Sequence, residues 1–118
     1  MTLSDLDQGL LERCLDYKPR AWEDFIDRFL GLVLHVIDHA TGVRRIRLTP
    51  AERDELCVET FAAIRHNDYQ LLRNYHGQCH LATFLTVTTR RIIVRAVTNR
   101  GYITVSDPEA ASFAQRVA

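Results

Sequence analysis

Cysteine, proline, glycine and long apolar runs are all scarce in this chain of 118 residues, which has three cysteines, three prolines and five glycines. Three cysteines at scattered positions are a poor basis for a disulfide framework and are typical of a reducing compartment. The apolar runs, such as residues 32–34, are far too short to span a membrane. The N-terminal stretch lacks the basic start and apolar core of a signal peptide. We therefore predict a cytoplasmic protein without membrane contact.

The motifs of common enzyme classes are also missing. The sequence has no glycine-rich phosphate loop and no Ser/His/Asp signature. His35 and His39 are four residues apart on a helix and could hold a metal ion, but the glutamate of a metalloprotease motif does not follow the first histidine. His76, Cys79 and His80 form a second candidate, without a sign of the base and oxyanion site that a nucleophilic cysteine needs. We predict no enzymatic activity, no metal and no cofactor.

Charge is balanced over the whole chain, at 15 basic and 15 acidic residues, but it is unevenly spread. Residues 1–60 hold 8 basic and 12 acidic residues, and residues 61–118 hold 7 and 3. A neutral total argues against a protein that coats nucleic acid nonspecifically. An acidic half and a basic half fit an adaptor that contacts a protein with one and DNA with the other. The same split could also serve internal salt bridges.

Hydrophobic periodicity predicts an all-α domain of four main helices over residues 1–100. Residues 101–118 are predicted to form a C-terminal extension or the start of a linker. The basic segment 43–48 is predicted to be a loop, because no partner strand is evident. The third helix is predicted to break near residues 67–68.

The first two helices each have an apolar side. The first is predicted over residues 3–17, with Ser4 or Asp5 as its N-cap. Its apolar side comprises Leu3, Leu6, Leu10, Cys14 and Tyr17. The second is predicted from about Arg20 to about His39, and we expect it at the centre of the core because its stripe is the strongest in the chain. That stripe comprises Trp22, Phe25, Ile26, Phe29, Val33, Val36 and Ile37.

The third helix combines a clear start with an acidic face. Thr49 is the predicted N-cap, with Pro50 at the first helical position and Glu52 completing a capping box. Its buried side is predicted to comprise Leu56, Cys57, Thr60, Phe61 and Ile64. At ~100° per residue, Glu52, Glu55 and Glu59 share a roughly opposite face. These carboxylates are either a binding face for a basic partner or a solvated surface.

The fourth helix is predicted from near His80 and combines an apolar stripe with a basic face. The predicted stripe comprises Leu81, Leu85, Thr88, Ile92 and Ala96, with Phe84 at its edge. Arg90 and Arg91 are predicted to project away from the stripe and Arg95 to flank it. Val87, Val94 and Val97 are also predicted to face outward. A basic face with apolar residues among its arginines suits a surface that grips phosphate or bases. The alternative is that these arginines pair with acids of a neighbouring helix.

The order and spacing of these features resemble region two of bacterial RNA polymerase sigma factors, most closely the extracytoplasmic-function class. Residues 55–61, Glu-Leu-Cys-Val-Glu-Thr-Phe, stand where the family has an acidic Asp-Leu-x-Gln-Glu-x-Phe pattern. Residues 75–85, Tyr-His-Gly-Gln-Cys-His-Leu-Ala-Thr-Phe-Leu, stand where it has a loop of the type Phe-Arg-Gly-x-Ser-x-x-x-Thr-Trp-Leu. Arg90 and Arg91 replace an Arg-Asn pair. The resemblance implies the orthogonal four-helix bundle of region two.

The resemblance also implies a function, that of a transcription initiation factor domain which binds core RNA polymerase and the minus-ten promoter element. The implied protein partner is the clamp coiled coil of the β′ subunit, contacted by Glu52, Glu55 and Glu59. The implied nucleic-acid partner is the non-template strand of promoter DNA. The residues implied to contact that DNA are His76, Gln78, His80, Phe84, Arg90, Arg91 and Arg95. An anti-sigma factor is a further partner that the resemblance suggests.

Three departures from the family pattern keep a second hypothesis open. Val58 replaces the family's glutamine, Phe84 its tryptophan and Arg91 its asparagine. Val58 and Arg91 favour a helical protein-interaction module that keeps the fold of region two without promoter recognition. A downstream helix-turn-helix module, which full-length sigma factors of this class carry, would favour the first hypothesis.

Overall fold

The computed structural model describes residues 2–101, which form four α-helices. The helices are α1 (Leu3–Leu15), α2 (Ala21–Val43), α3 (Pro50–Arg73) and α4 (Leu81–Asn99). No strand occurs among the described residues, so the predicted all-α class with four main helices is confirmed. The predicted extension at 101–118 lies outside the described residues, apart from Gly101.

Helix α2 lies at the centre of the fold, as its apolar stripe predicts, and contacts each of the other three helices. Phe25, Phe29 and Ile37 are among the largest fully buried side chains. Trp22 and Ile26 are half-buried and pack against this core. The second helix therefore supplies the packing surface on which the rest of the domain is built.

The C-terminal end of α2 lies at Val43, about one turn beyond the predicted end near His39. The added turn continues the apolar contact because Ala40 and Thr41 are both buried. The hydroxyl of Thr41 donates to the carbonyl of Ile37 at 2.8 Å, which satisfies its buried polar atom inside the helix. The predicted end was too early because sequence periodicity does not register a buried threonine that is satisfied in this way.

Helix α1 is turned relative to the prediction. Its buried side comprises Asp7, Leu10, Leu11 and Cys14. Leu6 and Tyr17, which were predicted to lie on that side, are 52% and 63% exposed, and the side chain of Leu3 lies outside the described set. The reason is an ion pair, in which Arg28 of α2 donates to the Asp7 carboxylate from Nε at 2.9 Å and from Nη2 at 3.1 Å. Pairing permits burial of the charge, and the side of α1 that carries Asp7 therefore faces the core.

Capping boxes begin both α1 and α3. The Thr49 hydroxyl accepts from the Glu52 N–H at 3.1 Å and Glu52 Oε1 accepts from the Thr49 N–H at 2.9 Å, which confirms the predicted box. At α1 the N-cap is Thr2, and the prediction of Ser4 or Asp5 was wrong. Thr2 and Asp5 form the same pair of hydrogen bonds. The bond that the Thr2 backbone N–H donates to the Asp5 carboxylate lowers the pKa of the Asp5 carboxyl. The prediction erred because serine and aspartate are also favourable N-caps.

Helix α3 is broken at the predicted place. Asn67, Asp68 and Tyr69 have left-handed backbone conformations, with φ of 55°, 58° and 59°. Asparagine and aspartate tolerate this region better than most residues, but tyrosine does not. The buried Tyr69 ring lies 5.7 Å from the Trp22 ring, and the Tyr17 hydroxyl donates to the Asp68 carboxylate. Contacts with α2 and with the turn that precedes it therefore hold the kink.

Helix α4 confirms part of its predicted stripe. Its buried residues are Leu81, Leu85, Thr89, Ile93, Ala96 and Val97. Thr88 and Ile92, which were predicted in the stripe, are only partly buried, and the prediction that Val97 faces outward was wrong. The buried residues follow rows three and four apart, which are the rows that pack against neighbouring helices. This register buries Val97 in place of Thr88 and so removes more apolar surface from water.

Thr89 allows a test of which residues α4 buries. Its buried hydroxyl has no hydrogen-bond partner among residues 2–101. We expect Thr89→Val to raise the free energy of unfolding by about 1–2 kcal/mol, since an unsatisfied buried polar group is costly. Urea denaturation measures the change. Thr60→Val is the matched control, because the Thr60 hydroxyl is equally buried but donates to the Leu56 carbonyl at 2.7 Å. That variant should lose about 0.5–1.5 kcal/mol, and destabilisation of both variants would contradict the register.

Candidate functional site

The acidic residues predicted to contact a protein partner lie at the start of α3. Glu55 and Glu59 are one helical turn apart with exposed side chains, and Val58 beside them is 70% exposed. Glu52 lies about a turn earlier, and its carboxylate is used in the capping box. We call Asp54, Glu55, Val58 and Glu59 the acidic face. The structure thus leaves two of the three predicted glutamates on an exposed face and gives Glu52 a structural contact.

Arg100, at the end of α4, lies across the acidic face. Its Nη2 is 2.5 Å from Glu59 Oε2, and its Nη1 is 4.0 Å from Glu55 Oε2. Arg100 and the acidic face together line a groove of about 450 Å³. Sequence reasoning missed Arg100 because Arg100 and Glu59 are 41 positions apart and meet only when α4 packs against α3. The excess of basic residues in the C-terminal half was the one available signal.

Three arginines predicted to contact DNA lie together on the exposed side of α4. Arg90, Arg91 and Arg95 are exposed, and none has an ion-pair partner within residues 2–101. Val87 is exposed on the same side, and Val94 is half-buried. We call these five residues the basic face. Among residues 2–101, these three arginines therefore do not pair with acids of a neighbouring helix, which was the alternative.

Other arginines of the domain form ion pairs that join two helices. Arg13 of α1 lies 2.7 Å from Asp24 of α2. Arg53 of α3 donates to the Asp38 carboxylate of α2 from both Nε and Nη2 at 2.8 Å. These hydrogen bonds from Arg53 hold the pKa of the Asp38 carboxyl below its usual value. Each of these guanidinium groups ties one helix to another, whereas the guanidinium groups of the basic face do not.

The loop that precedes α4 is held by its own hydrogen bonds. The backbone N–H of His76 donates to Gln78 Oε1 at 2.8 Å. The Tyr75 hydroxyl donates to the Cys79 carbonyl at 2.5 Å. The Phe84 ring is half-buried, with its centroid 5.2 Å from that of Tyr75. Phe84 therefore packs beneath the loop, and its predicted stacking on a DNA base stays a prediction.

His80 connects this loop to α1. Its Nδ1 lies 2.7 Å from the Ser4 hydroxyl oxygen, and its side chain makes no capping hydrogen bond to α4. A cavity of about 470 Å³ lies at the junction. Its lining comprises Ser4, Asp5, Gln8, Tyr75, Gly77, Cys79, His80 and Leu81. Among the predicted DNA contacts, His76, Gln78 and His80 are all exposed, and each also takes part in a hydrogen bond within the loop or with α1.

Neither histidine cluster forms a metal centre in the described part of the chain. His35 and His39 are exposed, with ring centroids 6.5 Å apart. No group of three or more His, Cys, Asp or Glu side chains within residues 2–101 could hold a metal ion. The helices found over the same range are also too short or too polar to cross a bilayer.

Comparison with models of known protein families, with curated proteins and with solved structures finds no significant match for this chain. What the chain does must therefore be inferred from its own residues. The features that carry chemistry are the acidic face, the basic face and the loop before α4.

The three cysteines provide a test of the loop's exposure. Cys14 and Cys57 are buried, and Cys79 is exposed. Burial raises the pKa of the Cys14 thiol to about 11 and also raises the pKa of Cys57. Because the thiolate is the reactive form, we expect only Cys79 to react rapidly with a disulfide reagent near neutral pH in the folded protein. All three should react after denaturation, and Cys79→Ser should abolish the rapid phase. Rapid reaction of a second thiol would contradict the described packing.

Proposed function

We propose that this chain is a transcription initiation factor domain. In this proposal its acidic face binds the β′ clamp coiled coil of core RNA polymerase. Its basic face and the loop before α4 bind the non-template strand of the minus-ten promoter element. The proposal follows the sequence resemblance to region two of sigma factors and finds support in the placement of charge on α3 and α4.

The observation that carries the proposal is the unpaired state of Arg90, Arg91 and Arg95 among the described residues. An arginine that holds helices together has a carboxylate partner, as Arg13 and Arg53 do. Three exposed guanidinium groups on two successive turns, without such partners, suit the regularly spaced phosphates of nucleic acid. A duplex that must be opened favours a protein that prefers unpaired strands, because base faces are then free to stack.

The basic face and Arg100 occupy different sides of α4. By the ~100° rotation per residue, Arg100 continues the buried side of α4, while the basic face lies on the side turned away from the core. Arg100 reaches the acidic face from that buried side. A protein partner on α3 and a nucleic acid on α4 therefore need not compete for the same surface, which an initiation factor requires.

A second function, a helical protein-interaction module without promoter recognition, is favoured by one observation. Val58 is 70% exposed at the centre of an acidic groove, which suits a protein partner that brings an apolar side chain flanked by basic residues. This alternative keeps the role of the acidic face and assigns no nucleic-acid role to the basic face. The two proposals differ only in what binds α4.

The acidic face can be tested by the double change Glu55→Ala and Glu59→Ala. We expect weaker binding to core RNA polymerase with a nearly unchanged melting temperature, because exposed ion pairs contribute only about 0–1 kcal/mol to stability. The matched control is Glu12→Ala with Asp27→Ala, which removes two exposed carboxylates elsewhere that have no ion pair in the described range. Affinity that is unaltered, or lowered equally by the control, would rule out the assignment.

The basic face can be tested by replacing Arg90 and Arg91 with alanine in the polymerase complex. On single-stranded DNA, the logarithmic salt slope of binding should fall by about 0.7 for each phosphate that the domain no longer neutralises. Arg20→Ala with Arg47→Ala is the control, because both are exposed arginines outside the basic face. Phe84→Ala should weaken binding with little change in slope, since stacking releases no counterions. If the Arg90 and Arg91 changes alter neither affinity nor slope, the interaction module becomes the better proposal.

A further inference from the structure

In the free domain the acidic face already has a basic ligand, which is Arg100 of the same chain. The Arg100 side chain is only 30% exposed, because it lies along the groove instead of extending into solvent. Its guanidinium approaches both glutamates, at 2.5 Å to Glu59 and 4.0 Å to Glu55. A partner that places a basic side chain against Glu59 must therefore displace the Arg100 guanidinium.

The contact of Arg100 is of a kind that can be exchanged. Arg100 is the C-cap residue of α4, and its backbone N–H donates to the Ala96 carbonyl at 3.1 Å. The helix end is thus held by the backbone and does not depend on the guanidinium. The side chain can leave Glu59 by rotation alone, since both partners are on the surface. Exposed ion pairs of this kind are weak and are screened by salt.

The groove beneath Arg100 defines the chemistry of the partner. Val58 forms an exposed apolar floor, and the carboxylates of Asp54, Glu55 and Glu59 surround it. A complementary segment carries an apolar side chain to cover Val58 and an arginine or lysine to bind Glu59. An amphipathic helix presents such residues at spacings of three and four.

We propose that Arg100 is an intramolecular competitor for the partner of the acidic face. Binding of core RNA polymerase moves the Arg100 guanidinium off Glu59, and a basic side chain of the polymerase takes its place. This inference rests on the proposed function, since it assigns a regulatory contact to the same polymerase-binding face. It also assigns a role at that face to a residue of α4, the helix that carries the basic face.

The test is the affinity of the domain for core RNA polymerase at low salt. Arg100→Gln should tighten binding about two- to fivefold, because the competing ion pair is removed while the acidic face is kept. Arg100→Lys should bind like the wild-type chain, since the charge is retained. Arg20→Gln is the control for net charge, as it removes an exposed guanidinium that has no ion pair among residues 2–101.

A double-mutant cycle with Glu59→Gln makes the inference specific. In the wild-type chain this change removes the partner's ion pair with Glu59 but also frees the groove from Arg100. In the Arg100→Gln background it removes only the partner's ion pair. Glu59→Gln should therefore weaken binding more in the Arg100→Gln background than in the wild-type chain, by the same two- to fivefold factor, about the contribution of one exposed ion pair.

The outcomes separate this inference from the proposed function. If the wild-type chain binds polymerase and Glu59→Gln weakens it, but Arg100→Gln binds no more tightly, the inference is wrong and the proposed function stands. Equal tightening by Arg20→Gln would assign the effect to net charge and would also overturn the inference. If the wild-type chain does not bind polymerase at all, the proposed function and the inference both fail.

Discussion

The packing of the aromatic rings of α2 is the interaction on which the rest of the domain depends. The Trp22 ring stacks on Phe25 at 5.3 Å and meets Phe61 of α3 edge-on at 6.1 Å. Phe25 in turn lies 4.9 Å from Phe29, and both are fully buried. Aromatic pairs in such geometries contribute about 0.5–1.5 kcal/mol beyond the area they bury. Because these contacts fix α3 against α2, they also fix the direction in which the acidic face points.

Ion pairs divide these arginines into three groups. Those of the first three helices that pair with Asp7, Asp24 and Asp38 join one helix to the next. Those of the basic face have no such partner in the described range, and Arg100 pairs with the acidic face. The sequence suggested two roles for its uneven charge, which are internal salt bridges and binding surfaces. The structure contains both arrangements, since some carboxylates form internal pairs and others line a surface. The structure distinguishes these uses residue by residue, which a charge balance does not.

Local signals predicted the elements, and contacts between distant residues decided the faces. The capping box at Thr49 and the break at residues 67–68 follow from neighbouring residues, and both are confirmed. The turn of α1 was missed because it buries Asp7, whose carboxylate pairs with the partly exposed Arg28, 21 positions away. In α4, Ile92 and Ile93 are equally apolar, so that only packing against other helices selects the second.

In the candidate site, too, local patterns were predictable and contacts between helices were not. Helical spacing predicts that Arg90 and Arg91 project away from the apolar stripe and that Arg95 flanks it, and all three are exposed. The contact between Arg100 and the acidic face has no such local rule, since it joins two helices. The capping role of Glu52 was visible in the sequence, yet the same residue also fits an acidic face, and the sequence offers no means of weighing the two uses.

The break in α3 has a mechanical consequence. An unbroken helix is a stiff rod, so that a push on one end is carried along its axis to the other. The left-handed residues at Asn67, Asp68 and Tyr69 interrupt that rod between the acidic face and the loop before α4. The Trp22 ring of α2 meets Phe61 on one side of the break at 6.1 Å and Tyr69 at the break itself at 5.7 Å. The two arms of α3 are therefore joined through a ring of α2 and not along a continuous helix axis.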